Sequence, residues 1–264
     1  MNVLHIITNL DDGGAQTALL RLVRADAEDA HRVLSLTDAG VFGARLAAAG
    51  AGVVAIGLPR GRVTAAGLLR LMRAVRAARP DVVQTWMYHA DLLGGLAARL
   101  AGRRAIVWGI RNTDLDPRRV SRPTRLTARA CAALSRFVPS AIVSCSERAA
   151  RAHAAFGYRA ERIVVVPNGF DLEAFAPDPA ARARVRAELG VGETQPLLGA
   201  VARWDPHKDH ANLIAALALL AGAGGAAWRC ALVGRGMDGS NPALRELLAR
   251  HGVANRVLAL GSRE

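Results

Sequence analysis

Hydrophobic positions occur in two alternating patterns along most of this chain. Short, mostly apolar runs bounded by turn-forming residues predict buried strands. Between them lie longer segments whose apolar residues recur at helical spacing. Strands that alternate with helices in this way are typical of a parallel sheet covered by helices on both faces. The pattern therefore predicts an α/β protein.

The first 171 residues hold most of these segments, and we interpret residues 1–171 as one Rossmann-like, doubly wound domain. Its predicted strands are Asn2–Thr8, Arg32–Leu36, Val53–Ile56, Asp81–Thr85, Ala105–Trp108, Ala141–Ser144 and Ile163–Val166. Its predicted helices lie near Ala15–Ala27, Phe42–Ala49, Ala65–Ala78, Ala90–Ala101, Ser121–Arg136 and Glu147–Phe156.

A second domain is predicted over residues 196–264, after a linker and helix at 172–195 that contains Pro177 and Pro179. The strand and helix pattern restarts there. Its elements are the strands Leu197–Ala202, Arg229–Val233 and Val257–Leu260 and the helices Asn212–Leu220 and Ala243–Arg250. These make up about half of a doubly wound domain, so we expect an incomplete second Rossmann-like domain that lacks its C-terminal part.

Composition excludes wholesale disorder, because 52% of the 264 residues are hydrophobic and 22% are charged. The net charge of +13 is compatible with nucleic acid, an anionic membrane or a phosphorylated substrate. Lys208 is the only lysine among 35 basic residues, so part of the charge reflects an arginine-rich codon usage. A lysine retained against that bias becomes a candidate for function.

The cysteines and the N-terminus bear on the compartment. Cys131, Cys145 and Cys230 have no CxxC spacing, which argues against a zinc site or a disulfide framework. The chain opens on an apolar strand and lacks the pattern of a signal peptide. We therefore expect a cytoplasmic protein.

Two segments bear on membranes. Ala211–Trp228 is uncharged and nearly long enough to span a bilayer, but its glycines favour a buried helix followed by a loop. Residues 118–129 are rich in arginine with apolar residues between, which is compatible either with anionic lipid headgroups or with a solvated face. Few aromatic residues are available to stack on bases, so nucleic acid is not expected as a partner.

Candidate binding residues follow the strands. Gly13 and Gly14 stand between the first strand and a helix, where backbone N–H groups can approach an anion or simply form a flexible turn. Arg203 follows the strand Leu197–Ala202, and Lys208 precedes the next helix. Their charges at the carboxyl end of a strand suit a diphosphate. Gly234 ends the following strand and fits either the border of that site or a tight turn.

The strands that end near residues 85 and 108 supply further candidates. His89 can hydrogen-bond a sugar hydroxyl or a reacting centre, although most isolated histidines are structural. Arg111 lies at the same edge as a candidate substrate-binding residue, and Asp91 or Asn112 can orient a partner. Asp114-Leu115-Asp116 is a D-x-D string, for which surface ion pairing is favoured over metal binding. No P-loop, zincin or nucleophile-elbow motif occurs.

Together, several segments resemble the family 4 glycosyltransferases of GT-B architecture. The resemblance covers almost the whole chain. It rests on Gly13–Gln16, Trp86–Asp91, Val165–Asp171, Val201–His210 and Leu232–Gly236. It implies two Rossmann-like domains and a retaining, metal-independent transfer of a sugar from a nucleotide-sugar donor to an acceptor hydroxyl. Cell-surface polysaccharide or glycolipid synthesis, on a carbohydrate or lipid-linked acceptor at the inner face of the membrane, is implied by the same likeness.

The resemblance also implies roles for single residues. Arg203 and Lys208 would hold the donor diphosphate and stabilise it as it leaves. His89 would lie beside the transferred sugar, and Gly14 would permit close approach of the first helix. Asn168 would lie where the chain crosses between the domains. No cofactor or metal is expected.

The chain departs from the family pattern in one respect. Family members carry a later pair of glutamates spaced E-x7-E, and no two glutamates here have that spacing. We therefore expect a truncated form of doubtful activity. Two alternatives remain open, which are a nucleotide-sugar epimerase of the same architecture and a non-catalytic nucleotide-binding remnant.

Overall fold

In the computed structural model, residues 1–59, 63–113, 115–118, 120–224 and 226–263 are described. The chain forms two compact units, Met1–Asp171 and Leu172–Glu264. Each unit has its own sheet and its own hydrophobic core.

Strands and helices alternate along the first unit. They are β1 (Asn2–Ile7), α1 (Gly14–Ala25), β2 (Ala30–Ser35), α2 (Gly40–Ala48), β3 (Gly52–Ala55), α3 (Ala65–Ala78), β4 (Val82–Trp86), α4 (Tyr88–Leu100), β5 (Ile106–Ile110), α5 (Arg122–Leu134), β6 (Ala141–Ser144), α6 (Glu147–Phe156) and β7 (Ile163–Val165). The seven parallel strands lie in the order β3-β2-β1-β4-β5-β6-β7. The order reverses between β1 and β4, which is where ligands bind in doubly wound sheets.

Helices cover both faces of this sheet because the strands are apolar on both sides. Ile7 of β1 belongs to the core beneath α1 and α2, whereas Leu4 and Ile6 belong to the core beneath α3 to α6. Side chains stabilise several helix ends. The hydroxyl of Thr64 accepts a hydrogen bond from the N–H of Gly67 and so caps the N-terminus of α3, and Ser121 and Ser146 cap α5 and α6.

The second unit continues with a helix and a smaller parallel sheet. Its elements are α7 (Pro179–Glu188), β8 (Leu197–Val201), α8 (His210–Gly222), β9 (Arg229–Val233), α9 (Pro242–Arg250) and β10 (Val257–Gly261). The strand order is β10-β9-β8, so β8 lies at an edge of this sheet. Ile214 and Leu217 of α8 pack with Leu244 of α9 over the sheet.

The strands and helices predicted from the sequence are confirmed to within about two residues at most ends. Helix α4 begins at Tyr88 rather than Ala90, because the chain turns abruptly at Met87, whose φ is 72°. Strand β5 continues to Ile110, since Gly109 and Ile110 extend the ladder with β6.

The interpretation of the apolar run at 211–228 as a buried helix is correct only for one side of α8. Leu219 is 77% exposed and Leu220 is 45% exposed. Helix α8 is apolar on nearly all sides, but only the side with Ile214 and Leu217 meets the core. In the residues that the structure describes, no helix is both long and apolar enough to cross a bilayer.

Candidate functional site

The loop after β1 leads into α1 at the switch point of the first sheet. Gly14 is the first residue of α1, it is exposed, and nothing lies within 4 Å of where a β-carbon would stand. The loop is held from below by buried Gln16, whose amide nitrogen donates to the backbone and side-chain oxygens of Asn9 at 3.1 and 2.8 Å. The predicted glycine position is thus open to a ligand, although its role in binding stays a prediction.

The turn after β4 is strained. Met87 has φ 72° and ψ 158°, a conformation that side chains with a β-carbon rarely adopt. It is held there because its N–H donates to the carbonyl of Gly109 and its own carbonyl accepts from the N–H of Asp91. The turn places Tyr88 and His89 in the first turn of α4.

His89 has the surroundings expected of a neutral hydrogen-bonding imidazole. It is partly buried, and desolvation lowers its pKa below the ordinary value of histidine. Its ring makes no hydrogen bond with any residue that the structure describes. It remains available to a ligand, as its predicted role requires.

Arg111, Trp86 and Asn168 are brought together at the end of β5. The guanidinium carbon of Arg111 lies 4.3 Å from the centre of the Trp86 ring, which is a cation–π arrangement. Its Nη1 donates to Oδ1 of Asn168 at 2.6 Å. Two residues predicted separately as substrate-binding are therefore direct neighbours, and the Trp86 ring lies against one of them, Arg111.

Beneath them, Asp91 is fully buried in the first turn of α4. Its Oδ1 accepts hydrogen bonds from the Thr85 hydroxyl at 2.5 Å and the Gly109 N–H at 3.3 Å. Its Oδ2 has no hydrogen-bond partner in the described part of the chain. Desolvation raises the pKa of this carboxyl to about 7, against the opposing effect of these hydrogen bonds and of Arg111.

In the second unit, Asp205 organises the loop between β8 and α8. Its Oδ2 accepts from Nε and Nη2 of Arg203 at 3.0 and 2.8 Å. Its Oδ1 accepts from the backbone N–H of His207 at 2.9 Å and lies 2.9 Å from the Nδ1 of the same residue. These contacts, the His207 N–H first, lower the pKa of Asp205. The loop therefore presents Arg203 already paired with a carboxylate.

Lys208 lies at the end of a short 3-10 helix, Pro206–Lys208, within that loop. Its side chain is exposed and has no hydrogen-bond or ion-pair partner in the described ranges. Asp209 follows with φ 54° as the N-cap of α8. The first residue of that helix, His210, stacks on Trp204 with 5.2 Å between ring centres. The loop thus holds its backbone firmly, while the lysine side chain stays exposed.

Gly234 braces the same loop from β9. Its φ is 142°, and a β-carbon there would lie 2.2 Å from the carbonyl oxygen of Ala202 and 2.9 Å from the nitrogen of Arg203. The N–H of Trp204 bonds to the carbonyl of Arg235 at 2.8 Å. Gly234 therefore supports the backbone at Arg203, which explains the glycine without a ligand contact.

Two motifs are less informative. Within the described residues, no group of three His, Cys, Asp or Glu side chains is arranged to hold a metal ion. Asp114 of the D-x-D string lies outside the described residues, as does Arg119 of the basic stretch at 118–129.

The sequence predicted candidate binding residues but missed the side chains that these candidates contact. It assigned no function to Trp86 or Asp205. The sequence offered one signal for each. Asp205 follows Arg203 by two residues, and Trp86 is the last residue of a strand.

These features are those of an α/β protein in which charged loops follow the strands of two parallel sheets. Residues 12–174 match the family model for glycosyltransferase family 4. The chain belongs to this family.

Individual relatives agree. EpsF of Bacillus subtilis (strain 168), by name a glycosyltransferase, is 28% identical over 226 residues, which is 80% of this chain and 56% of that protein. The D-inositol 3-phosphate glycosyltransferase of Nocardia farcinica (strain IFM 10152) is 37% identical over 124 residues, covering 45% of this chain and 27% of that one. The chain thus spans little more than half of the first relative and about a quarter of the second.

The fold matches a solved structure that holds nucleotide. Anabaena HepE, crystallised in complex with UDP and glucose, superposes on the whole of this chain with a TM-score of 0.82 and 25% identity. The match covers 70% of HepE. The α/β fold is therefore that of the GT-B glycosyltransferases, as the sequence predicted.

Proposed function

We propose that this chain transfers a sugar from a nucleotide-sugar donor to an acceptor hydroxyl, with retention of configuration at the sugar. The observation that carries the proposal is the β8–α8 loop, which presents Arg203 and an exposed Lys208 beyond the carboxyl end of a parallel strand; among the residues that the structure describes, Lys208 has no ion-pair partner. Family membership and the likeness to HepE, which binds UDP, support a nucleotide diphosphate as the ligand of these two cations.

In this proposal the two cations perform the electrostatic part of the reaction. Bond breaking between the sugar and the diphosphate leaves negative charge on the phosphate oxygens. Lys208 supplies a compact charge and Arg203 a planar fork, and both stabilise that charge more in the transition state than in the bound donor. No metal is required, since the cations themselves neutralise the leaving group.

His89, Arg111 and Asn168 act from the first unit. The neutral His89 hydrogen-bonds a hydroxyl of the transferred sugar. Arg111, stacked on Trp86 and bonded to Asn168, holds the substrate in place, and Gly14 lets it approach the backbone of α1.

The acceptor in this proposal is a carbohydrate or lipid-linked hydroxyl in cell-surface polysaccharide or glycolipid synthesis. A peripheral position on the cytoplasmic face of an anionic membrane fits the outer side of α5. Leu126 is 63% exposed there, between exposed Arg122 and Arg129, and Phe137 beyond the helix is 68% exposed. No acidic residue occurs between Asp116 and Glu147, so the arginines face anionic headgroups without internal competition.

Calorimetric titration of the chain with UDP, GDP and ADP tests donor binding. Saturable binding of one nucleotide that is lost in the double variant Arg203→Ala/Lys208→Ala is the expected result. Arg184→Ala is the matched control, because Arg184 is an exposed cation on α7 of the same unit and does not line the cavity beside the β8–α8 loop. Absence of binding by the folded chain would refute the donor site.

Turnover is tested separately. The chain is incubated with sugar donors that carry the nucleotide found to bind. Transfer or hydrolysis of the donor sugar with the anomeric configuration kept supports a retaining transferase. Release of a free sugar epimer supports the epimerase alternative instead, and binding without turnover supports a nucleotide-binding protein.

Membrane contact is tested by co-sedimentation with phosphatidylglycerol and phosphatidylcholine vesicles. We expect binding to the anionic vesicles only, weakened by Arg122→Gln/Arg129→Gln. The pair Arg148→Gln/Arg151→Gln on α6 removes the same charge from another exposed surface and should leave binding unchanged. If both double variants lose vesicle binding equally, the net charge of the chain explains the binding and α5 has no specific part in it.

A further inference from the structure

Two buried histidines of the first sheet have no part in the proposed reaction. His5 of β1 is fully buried and His31 of β2 is 8% exposed. Their rings stack with centres 5.3 Å apart on the side of the sheet that α1 and α2 cover. Aliphatic residues occupy most such positions, because a buried imidazole must find partners for both nitrogens.

The hydrogen bonds of these histidines have only one consistent direction. The indole nitrogen of Trp86 can only donate, and it lies 3.3 Å from Nδ1 of His5. Nδ1 of His5 is therefore the acceptor, and the proton of the neutral ring lies on Nε2. That Nε2 is 3.1 Å from Nδ1 of His31, which must accept in turn.

The chain of hydrogen bonds ends at His31. With Nδ1 of His31 accepting, its Nε2 carries the proton. Oδ2 of Asp26 lies 3.3 Å from this nitrogen, but the two atoms do not form a hydrogen bond, and in the described part of the chain Nε2 has no other partner. Asp26 and His31 also line a cavity of about 530 Å³ at the amino ends of β2 and β3. The hydrogen bonds that begin at the Trp86 indole thus run through His5 to His31, and the partly exposed carboxylate of Asp26 lies beside the second ring.

At its other end, the same tryptophan supports the candidate substrate site. Arg111 stacks on the Trp86 ring and bonds to Asn168. A hydrogen bond to the indole fixes the rotation of the ring, and the ring fixes the plane on which the guanidinium lies.

Burial of an indole does not by itself require such a partner. Trp108 in β5 is fully buried, and its Nε1 has no hydrogen-bond partner in the part of the chain that the structure describes. The acceptor chain is specific to the tryptophan that carries Arg111.

We propose that His5 and His31 are positioning residues, which lock Trp86 through a directed chain of hydrogen bonds and thereby orient Arg111 for substrate. Desolvation keeps His5 neutral in support of this direction, since it lowers the pKa of His5 to about 3. The role of Arg111 rests on the proposed function, whereas the hydrogen-bond chain does not.

The first test uses the wild-type protein. Nitrogen-15 NMR of the histidine rings at neutral pH reports which nitrogen carries the proton, and the signals of His5 and His31 are assigned by their loss in His5→Asn and His31→Asn. We expect both residues to be neutral with the proton on Nε2. A proton on Nδ1 of either residue, including a doubly protonated ring, would overturn the proposal.

The second test follows the indole signals. The chain has four tryptophans, and the signal of Trp86 is assigned by its loss in Trp86→Phe. His5→Leu and Arg111→Ala should each shift that signal and leave the indole signal of Trp108 in place. His5→Asn keeps an acceptor near the position of Nδ1 and should restore most of the shift. An unshifted Trp86 signal in a folded His5→Leu variant would refute the lock.

Failure of the proposed function leaves these results intact. If no nucleotide binds while both NMR tests succeed, the lock stands and the donor site falls. If nucleotide binds and the tautomers differ from expectation, the donor site stands and the lock falls.

Discussion

Both Nε and Nη2 of Arg203 lie on one carboxylate oxygen of Asp205, at 3.0 and 2.8 Å. A diphosphate that uses Arg203 must therefore compete with this ion pair. The pair is partly exposed, and such pairs contribute about 0 to 1 kcal/mol.

Asp205→Asn should tighten UDP binding by up to about fivefold, because it removes the competing charge. Asparagine keeps an oxygen that can accept from the His207 N–H, so the loop should retain its shape. Asp205→Ala loses this contact as well and should bind less tightly than Asp205→Asn. Calorimetry measures the dissociation constant of UDP for wild type, Asp205→Asn and Asp205→Ala. Weaker binding by Asp205→Asn than by wild type would contradict competition between Asp205 and the diphosphate.

Lys208→Gln should weaken UDP binding by about tenfold or more, since a hydrogen bond to a charged group contributes about 1.5 to 3 kcal/mol. Arg184→Gln removes an exposed cation of α7 in the same unit, away from the β8–α8 loop, and should have no effect. Because Lys208 is the only lysine of the chain, UDP should also protect it from reductive methylation, as mass spectrometry can show. Unprotected Lys208 under saturating UDP would place the nucleotide elsewhere.

Gly234→Ala should destabilise the second unit by about 1 to 3 kcal/mol, because the new β-carbon meets the backbone of Ala202 and Arg203 at an unfavourable φ. Gly239→Ala is the matched control, since nothing lies within 4 Å of its β-carbon position. Urea denaturation measures both variants. Similar stabilities would mean that the loop moves aside without cost.

Asp91 predicts a pH dependence of stability. The pKa of this buried carboxyl is about 7 in the folded protein and near 3.8 when unfolded. Between these values the folded state binds one more proton, so the contribution of Asp91 to the free energy of unfolding falls as pH rises from about 4 to 7. The decrease is of the order of 4 kcal/mol.

Asp91→Asn does not titrate and should lack that contribution. Urea denaturation at pH 5 and pH 8 gives the free energy of unfolding of each protein. The contribution of Asp91 is the difference between wild type and variant in how that free energy changes with pH. Parallel pH profiles for wild type and variant would show that Asp91 is ionised throughout.

Met87→Gly should be at least as stable as Met87→Ala, although glycine ordinarily costs about 0.5 to 1 kcal/mol relative to alanine. Both variants lose the same packing, but only alanine keeps the β-carbon that makes φ 72° unfavourable. Thermal unfolding of the pair compares them directly. A clearly more stable alanine variant would mean that the turn carries no strain.

The sequence by itself determined the secondary structure and its order. Strands such as Arg229–Val233 are short apolar runs between turn residues, and this local pattern needs no distant partner to be recognised. It also predicted Arg203 and Lys208 as candidates, because a charge that directly follows a strand lies at the carboxyl edge of a parallel sheet.

Which side chains contact one another follows only from the tertiary structure. His5, His31 and Trp86 come from three strands far apart in sequence, so only the order of the strands brings their rings into contact. Helix α8 reads as buried from its composition, yet it meets the core with one side only, because burial depends on which elements pack against it. Spacing along the chain fixes where a side chain points, whereas contact across the sheet fixes what that side chain meets.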